Sequence, residues 1–297
     1  MTIPGAISGS TRLVGVIGDP IQQVQAPALW TDLFRANGVD AVCVPMHVTT
    51  AGLGELVTGA AQVRNLIGLI VTVPHKPAAF ALSRRASARA RRTGAANLLR
   101  FERTGPDGLV ETVSDMVDGI GFVSALRARG FDPGGKSVLV VGAGGVGAAL
   151  VDSLVEAGAR SVLVHDNLPG RAAALAERFG PASGVRAGQR PGGPDPAEVM
   201  ADLVVNATPI GMRAEDPLPF DCSRLRPPTV VADVVAAPDT TRLIEFAESR
   251  GCQVQRGMAM MHHQIPHVAR FFGWTEGMWS PEPPAISGAA RVGAPRG

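Results

Sequence analysis

Gly142, Ala143, Gly144, Gly145, Val146 and Gly147 are spaced to hold a dinucleotide. In such a run the first glycine makes a tight turn, the second lets the backbone approach a pyrophosphate, and the third lets the next helix pack on its strand. An acidic residue about 20 positions further on receives the ribose, and Asp166 stands there. In a chain with 36 glycines, such a run is by itself also an ordinary turn. Its flanks separate the two readings. Ser137 to Val141 is a short β-branched, apolar run, Ala148 to Gly158 reads as a helix closed by glycine, and Ser161 to His165 reads as a second strand ending at Asp166.

Other residue types able to do chemistry stand where strands should end, which is where open α/β sheets place their ligands. Val71-Thr72-Val73-Pro74-His75-Lys76 sets a lysine just after an apolar strand, with Pro74 stopping the ladder. Lysine is most often a solvated surface residue, so position alone leaves Lys76 open between that role and proton transfer. Asp118, in Asp115-Met-Val-Asp118-Gly-Ile-Gly-Phe, opens a helix, where an N-cap role does not exclude a catalytic one. Asn97 sits at another strand start. Asn206-Ala-Thr208-Pro209-Ile-Gly-Met follows a strand, and its backbone can line a nicotinamide. Gln264 closes the run that begins at Gly257. His263 and His267 lie four apart on the same helical pattern, but without a third ligand they do not make a metal site.

Alternating strands and helices must position these groups. Strands are expected at Leu13 to Gly18, Ala41 to Val44, Ile67 to Val73 and Ala96 to Phe101, with helices at Pro27 to Asn37 and Gly52 to Arg64. Strands separated by helices imply a parallel, doubly wound sheet. After a turn at Gly105-Pro-Asp-Gly108, a helix from about Asp118 to Arg129 leads into the nucleotide unit. Further strands are expected at Asp202 to Asn206, Val230 to Val235 and Gln253 to Arg256, with helices at Arg171 to Phe179 and Thr240 to Arg250. The closing helix, roughly Met258 to Phe272, is too apolar to stand alone and should pack back on the first half. The fold class is therefore α/β: residues 11–117 with 258–280 form a discontinuous substrate domain, residues 118–257 form a Rossmann domain, and 1–10 and 281–297 read as disordered tails.

Composition narrows the function. A chain of 297 residues exceeds what one core usually fills. A net charge of +2 with scattered arginines argues against a nucleic-acid or membrane surface. The basic run Arg84 to Arg92 reads as a solvated helix face. No apolar stretch reaches the ~18 residues of a membrane span and no signal pattern opens the chain, so a cytoplasmic protein is expected, acting on a small molecule as a monomer or homodimer. Three cysteines, Cys43, Cys222 and Cys252, suggest neither a disulfide framework nor zinc.

From about Val14 to Phe272 the chain resembles the shikimate/quinate dehydrogenase family. The resemblance is carried by Gly15-Val-Ile-Gly-Asp-Pro-Ile21, Val71-Thr-Val-Pro-His-Lys76, Gly94-Ala-Ala-Asn97, Asp118-Gly-Ile-Gly-Phe, Gly142-Ala-Gly-Gly-Val-Gly, Asn206-Ala-Thr-Pro-Ile-Gly-Met, Asp233-Val-Val-Ala-Ala-Pro238, and Gly257 with Gln264. It implies a small α/β substrate domain facing a Rossmann domain, hydride transfer with NAD(P), and Lys76 and Asp118 as the proton-transfer pair. It further implies Asn97, Gln264, Thr72 and Gln23 as substrate contacts. For the cofactor it implies Gly142 to Gly147, Asp166, Asn206, Thr208, Pro209, Val234 and Gly257. The family places two serine hydroxyls on a substrate carboxylate where this chain has Val24 and Ala26, which points away from the usual substrate. Its NADP-selective members end the second strand of the nucleotide unit in Asn-Arg-Thr, where this chain has Asp166-Asn167-Leu168, so NAD is expected over NADP. The competing readings are the same chemistry on another cyclic hydroxy compound, and a non-catalytic nucleotide-binding regulator.

Overall fold

The computed structural model describes residues 7–103, 110–188, 195, 200–274 and 279. Two six-stranded sheets carry these residues. The first contains β1 (Arg12–Gly18), β2 (Ala41–His47), β3 (Leu66–Val71), β4 (Arg85–Ala86), β5 (Leu98–Arg103) and β6 (Val110–Asp115), in the order β2-β1-β3-β5-β6-β4. It is mixed rather than wholly parallel. β2, β1 and β3 run parallel, but β5 is antiparallel to both β3 and β6. Consecutive strands joined by a short connection return antiparallel, because a parallel return needs a crossover of a dozen or more residues. The expected turn at residues 105–108 lies outside the described residues, as do 1–6 and 281–297 of the expected tails. Residues 7–10 are held, with Ser10 Oγ donating to Asp40 at 3.1 Å.

Helices α1 (Ala26–Ala36), α2 (Leu53–Ala60), α3 (Lys76–Ala81) and α4 (Ala88–Thr93) belong to this half, and α5 (Asp118–Ala128) leads out of it. The sequence pattern missed α3, β4, β6 and β9 (Val185–Ala187), and gave α4 only as part of one basic helix face. The expected single basic helix face is instead a short strand followed by a short helix, and its arginines are engaged. Arg84 and Arg85 meet Glu111, Arg89 meets Asp115, Arg91 donates to the Ala86 carbonyl, and Arg92 meets Asp152 and Glu156.

The second sheet contains β7 (Ser137–Val141), β8 (Ser161–His165), β9 (Val185–Ala187), β10 (Leu203–Asn206), β11 (Val230–Asp233) and β12 (Val254–Gln255), all parallel, in the order β12-β11-β10-β7-β8-β9. Every residue of β7, β10 and β11 is buried, as continuous apolar runs require when helices cover both sheet faces. Those helices include α6 (Gly145–Glu156), α7 (Arg171–Phe179) and α8 (Arg242–Ser249).

The last helix, α9 (Gly257–Phe271), packs back on the first half: Ile265, Val268 and Ala269 share a core with Val14, Val16, Phe34 and Leu98. All three tryptophans join that core. Trp30 lies 5.8 Å from both Trp274 and Trp279, and the latter two are 5.4 Å apart, ring centroid to ring centroid. The two halves are also clamped through α4. Buried Asp152 on α6 receives two bonds from the Arg92 guanidinium, at 2.5 and 2.9 Å, and Arg178 on α7 donates to the Thr93 carbonyl at 2.6 Å.

Candidate active site

Lys76 begins α3 after the short turn that follows β3, and Asp118 begins α5. Their side chains meet although they lie 42 positions apart: Lys76 Nζ is 2.5 Å from Asp118 Oδ2. Lys76 is only 7% exposed and Asp118 3%. Burying an ammonium or a carboxylate alone is prohibitive, so each needs the other. Asp115, the other aspartate of the segment, turns elsewhere and accepts from Ser87 Oγ at 2.5 Å, from Arg89 and from the Met116 amide at 2.7 Å.

Asn97 stands just ahead of β5. Its amide nitrogen donates to Asp118 Oδ1 at 2.8 Å and to Gln264 Oε1 at 3.3 Å, and its Oδ1 accepts from the Val117 amide at 2.9 Å. α9 brings Gln264 there by crossing α5 at Gly121. A Cβ on Gly121 would lie 2.4 Å from Gln264 Cγ and 2.7 Å from the Met260 carbonyl. Gly119 likewise admits α6, for a Cβ there would fall 2.0 Å from the Ala149 carbonyl. Both glycines of Asp118-Gly-Ile-Gly are thus positions of close helix approach.

Two expected contacts fare differently. Thr72 is half-buried at the end of β3, its amide donating to the Ile17 carbonyl at 2.9 Å. Gln23 turns its amide back on the Pro20 carbonyl at 3.0 Å, because that turn leaves an acceptor within reach of its own side chain. Nor do the neighbouring positions offer a hydroxyl. Val24 packs on the first core, and Ala26 is buried at the start of α1.

The glycine loop has the shape its motif requires. Gly142 has φ +108°, and a Cβ on Gly147 would lie 1.9 Å from the Gly142 carbonyl. A Cβ on Gly144, by contrast, would meet nothing within 4 Å. That open space lies at the N-cap of α6, where no side chain caps the helix; free amides and the helix dipole there suit a pyrophosphate. Ala143 and Val146 are half-buried beside it. Asp166 ties β8 to this loop, its carboxylate accepting from the Ala143 amide at 2.7 Å and the Leu168 amide at 2.9 Å. These residues fit a nicotinamide dinucleotide.

Asn206 is wholly buried, so its side chain does not face a ligand. It shapes the loop after β10 by donating to the Ile210 carbonyl and Asp233 Oδ1 and accepting from both the amide and hydroxyl of Thr208. Pro209 belongs to the same loop. Asp233 also accepts from Thr241 Oγ1 at 2.7 Å and the Val235 amide at 3.0 Å. Burial raises its carboxyl above the ordinary range, against the pull of those bonds. Val234 is half-buried, and Gly257 is a packing position where a Cβ would fall 2.2 Å from the Val235 carbonyl.

Sequence reasoning missed one contact between the halves. Gly145 faces the stem of Lys76, its hypothetical Cβ 3.3 Å from Lys76 Cβ and 3.6 Å from Ala95 Cβ. The nucleotide loop therefore abuts the lysine. Among the described residues no group of three His, Cys, Asp or Glu could hold a metal ion, and no helix is long and apolar enough to cross a membrane.

A parallel dinucleotide sheet set against a second α/β unit, with a buried lysine–aspartate pair beside the glycine loop, defines a nicotinamide-dependent oxidoreductase of the alcohol dehydrogenase type. Comparison with known proteins narrows the class. Residues 16–99 match the shikimate dehydrogenase substrate-binding domain. The chain is 37% identical over 272 residues to a shikimate dehydrogenase (NADP(+)) of Acidiphilium cryptum, covering 91% of this chain and 93% of that one. The fold is shared with a crystal structure of shikimate dehydrogenase from Aquifex aeolicus, with a TM-score of 0.80, 27% identity, and coverage of 90% of this chain and 94% of that one. It is shared also with quinate dehydrogenase from Corynebacterium glutamicum in complex with NAD, with a TM-score of 0.77, 32% identity, and coverage of 89% and 94%. The chain belongs to the shikimate dehydrogenase family.

Proposed function

We propose that this protein moves a hydride between a ring hydroxyl of a shikimate- or quinate-like cyclic hydroxy acid and a nicotinamide dinucleotide, with Lys76 and Asp118 as the proton-transfer pair. The observation that carries this reading is the buried contact of 2.5 Å between Lys76 and Asp118, placed where the nucleotide loop reaches it. The nicotinamide supplies the hydride acceptor in oxidation and the donor in reduction. As the neutral amine Lys76 takes the hydroxyl proton in the first direction and becomes the ammonium; as the ammonium it gives that proton to the carbonyl oxygen in the second. Asp118 accepts from the ammonium and fixes its direction. Gln264 and Thr72 contact the substrate. A purely regulatory nucleotide-binding module has no use for such a pair, and burying one is costly. On this reading residues 11–117 and 258–280 form the substrate half and 118–257 the nucleotide half, in a cytoplasmic enzyme.

NAD is the preferred cofactor. Asp166 stands at the end of β8, where a carboxylate accepts from a free ribose hydroxyl and repels a 2′-phosphate. The relative from Acidiphilium cryptum carries NADP(+) in its name, whereas the Corynebacterium glutamicum structure was solved with NAD. Arg171, at the start of α7, is the nearby cation that opposes this choice.

The packing of Val24 and Ala26 away from any hydroxyl role favours a substrate other than shikimate itself. A lost hydrogen bond to a charged carboxylate costs about 1.5 to 3 kcal/mol, so shikimate should show a KM above the usual ~1 mM ceiling. Steady-state assays of shikimate, quinate and related cyclic hydroxy compounds, followed by reduced-nicotinamide absorbance, test all three points. NAD should give the higher kcat/KM. Equal or better turnover with NADP overturns the cofactor assignment, and efficient use of shikimate at micromolar KM overturns the reading of residues 20–27.

A further inference from the structure

Four arginines, Arg84, Arg85, Arg91 and Arg100, line a hollow of about 730 Å³ at the last turn of α3, β4, the end of β6 and the end of α9. The rings of Phe80 and Phe271 share its wall. Neither the glycine loop nor the Lys76–Asp118 pair contributes to it. Its volume falls within the roughly 300 to 1,000 Å³ of small-molecule pockets.

The charge in that wall is one-sided. Among the described residues its one carboxylate is Asp115, which is buried and already accepts from Ser87, Arg89 and the Met116 amide. Glu102 and Glu111 do not line the hollow, and each is shared between two guanidiniums: Glu111 between Arg84 and Arg85, Glu102 between Arg85 and Arg100. Arg91 meets no carboxylate among the described residues and donates to the Ala86 carbonyl through one nitrogen. Counting Arg89, five arginines thus share three carboxylates. Arginine stays protonated in proteins, so positive charge is left over.

Arg100 feels that excess directly. Its guanidinium lies over the Phe271 ring at 5.1 Å from the centroid, and burial, followed by the like charge of Arg85, lowers its basicity. An anion beside it would offset that like charge. A guanidinium presents a planar fork that matches a carboxylate two bonds at a time. A flat ring packs well against phenyl groups. Inorganic phosphate would meet the arginines but leave both phenylalanine rings facing water.

We propose that this hollow is a second ligand site, separate from the cleft of Lys76 and Asp118, for a small aromatic carboxylic acid. The carboxylate sits on the arginines and the ring lies against Phe80 and Phe271.

Calorimetric titration of the full chain with benzoate, acetate and inorganic phosphate tests the proposal. Benzoate should bind saturably and more tightly than either ringless anion. Arg84→Gln combined with Arg91→Gln should weaken benzoate at least about tenfold, the lower end of the loss for bonds to a charged group. Glu102→Gln removes the carboxylate shared by Arg85 and Arg100, and should tighten benzoate about two- to fivefold, the scale of a part-exposed ion pair. That gain cannot come from misfolding, so it tests the site even if the double variant melts early. Benzoate binding unchanged in both variants places the acid elsewhere, in the substrate cleft, and overturns the proposal. Phosphate or acetate binding as tightly as benzoate overturns the aromatic ligand, and a flat benzoate titration overturns the site itself.

Discussion

Replacing Lys76 by Met removes the ammonium while keeping the aliphatic stem that lies against Gly145. Proton transfer by a positioned side chain contributes about 10² to 10⁴ in rate, so kcat should fall by that order while affinity for the nicotinamide dinucleotide, measured by calorimetry, stays near its starting value. A lysine serving only the fold would leave kcat intact once the folded fraction is matched. The types of Lys76, Asp118, Asn97 and Gln264 were readable because each stands in a distinctive segment: Lys76 and Asp118 open helices, Asn97 precedes a strand, and Gln264 closes the run that begins at Gly257. Their hydrogen-bond partners were not, since a bond from Asn97 to Gln264 spans 167 positions and no local pattern encodes it. Asp115, the other aspartate of that segment, is committed to Ser87 and Arg89. The bond that the Gln23 amide makes to the Pro20 carbonyl, three residues back, was not read from its type either.

At the scale of the element, α9 carries His262, His263 and His267, all partly buried. Burial lowers the basicity of each imidazole below its free value of 6.5, and neighbouring positive charges lower His263 and His267 further. Asp239 facing His262 and Asp115 facing His267 oppose that shift without cancelling it. In the window just below 6.5 the unfolded chain therefore binds more protons than the native one, so stability rises with pH there and is lost on acidification. Melting temperature should fall as the pH drops through that window, and replacing the three histidines with Gln should flatten the curve. An unchanged slope in that variant would place the acid sensitivity elsewhere. The nucleotide-binding strands were legible because continuous apolar runs separated by helices have one plausible arrangement. β4, with two residues, falls below any periodic signal, and β6 (Val-Glu-Thr-Val-Ser-Asp) reads as a polar linker until β5 is beside it. The antiparallel pairing of β5 with β6 follows from the short connection between them.

The whole molecule is held closed at α4. Removing one partner of a buried ion pair costs about 3 to 5 kcal/mol; the Arg92 side chain is 39% exposed, so Arg92→Ala should cost less than that. The carboxylates of Asp152 and Glu156 raise the basicity of this guanidinium, a group that stays protonated in proteins in any case. Calorimetric melting should show one cooperative transition in the unmodified protein and a broadened or split one in Arg92→Ala, with the two halves coming apart before either melts. A single transition of unchanged width would show that the remaining contacts, among them Arg178 to Thr93 and the packing of α5 and α9, couple the halves without Arg92.

The aromatic cluster of Trp30, Trp274 and Trp279 makes the protein its own optical reporter. The chain has three tryptophans and no tyrosine, and all three indoles lie within one patch built from α1 and the segment after α9. Indole emission and the indole bands of near-ultraviolet dichroism therefore speak for the half that holds α1 alone, while far-ultraviolet dichroism averages over both. Closely spaced indoles also couple their excited states, so the near-ultraviolet band should carry a paired-sign signature that vanishes as soon as the C-terminal segment lets go of α1, whatever the nucleotide half is doing.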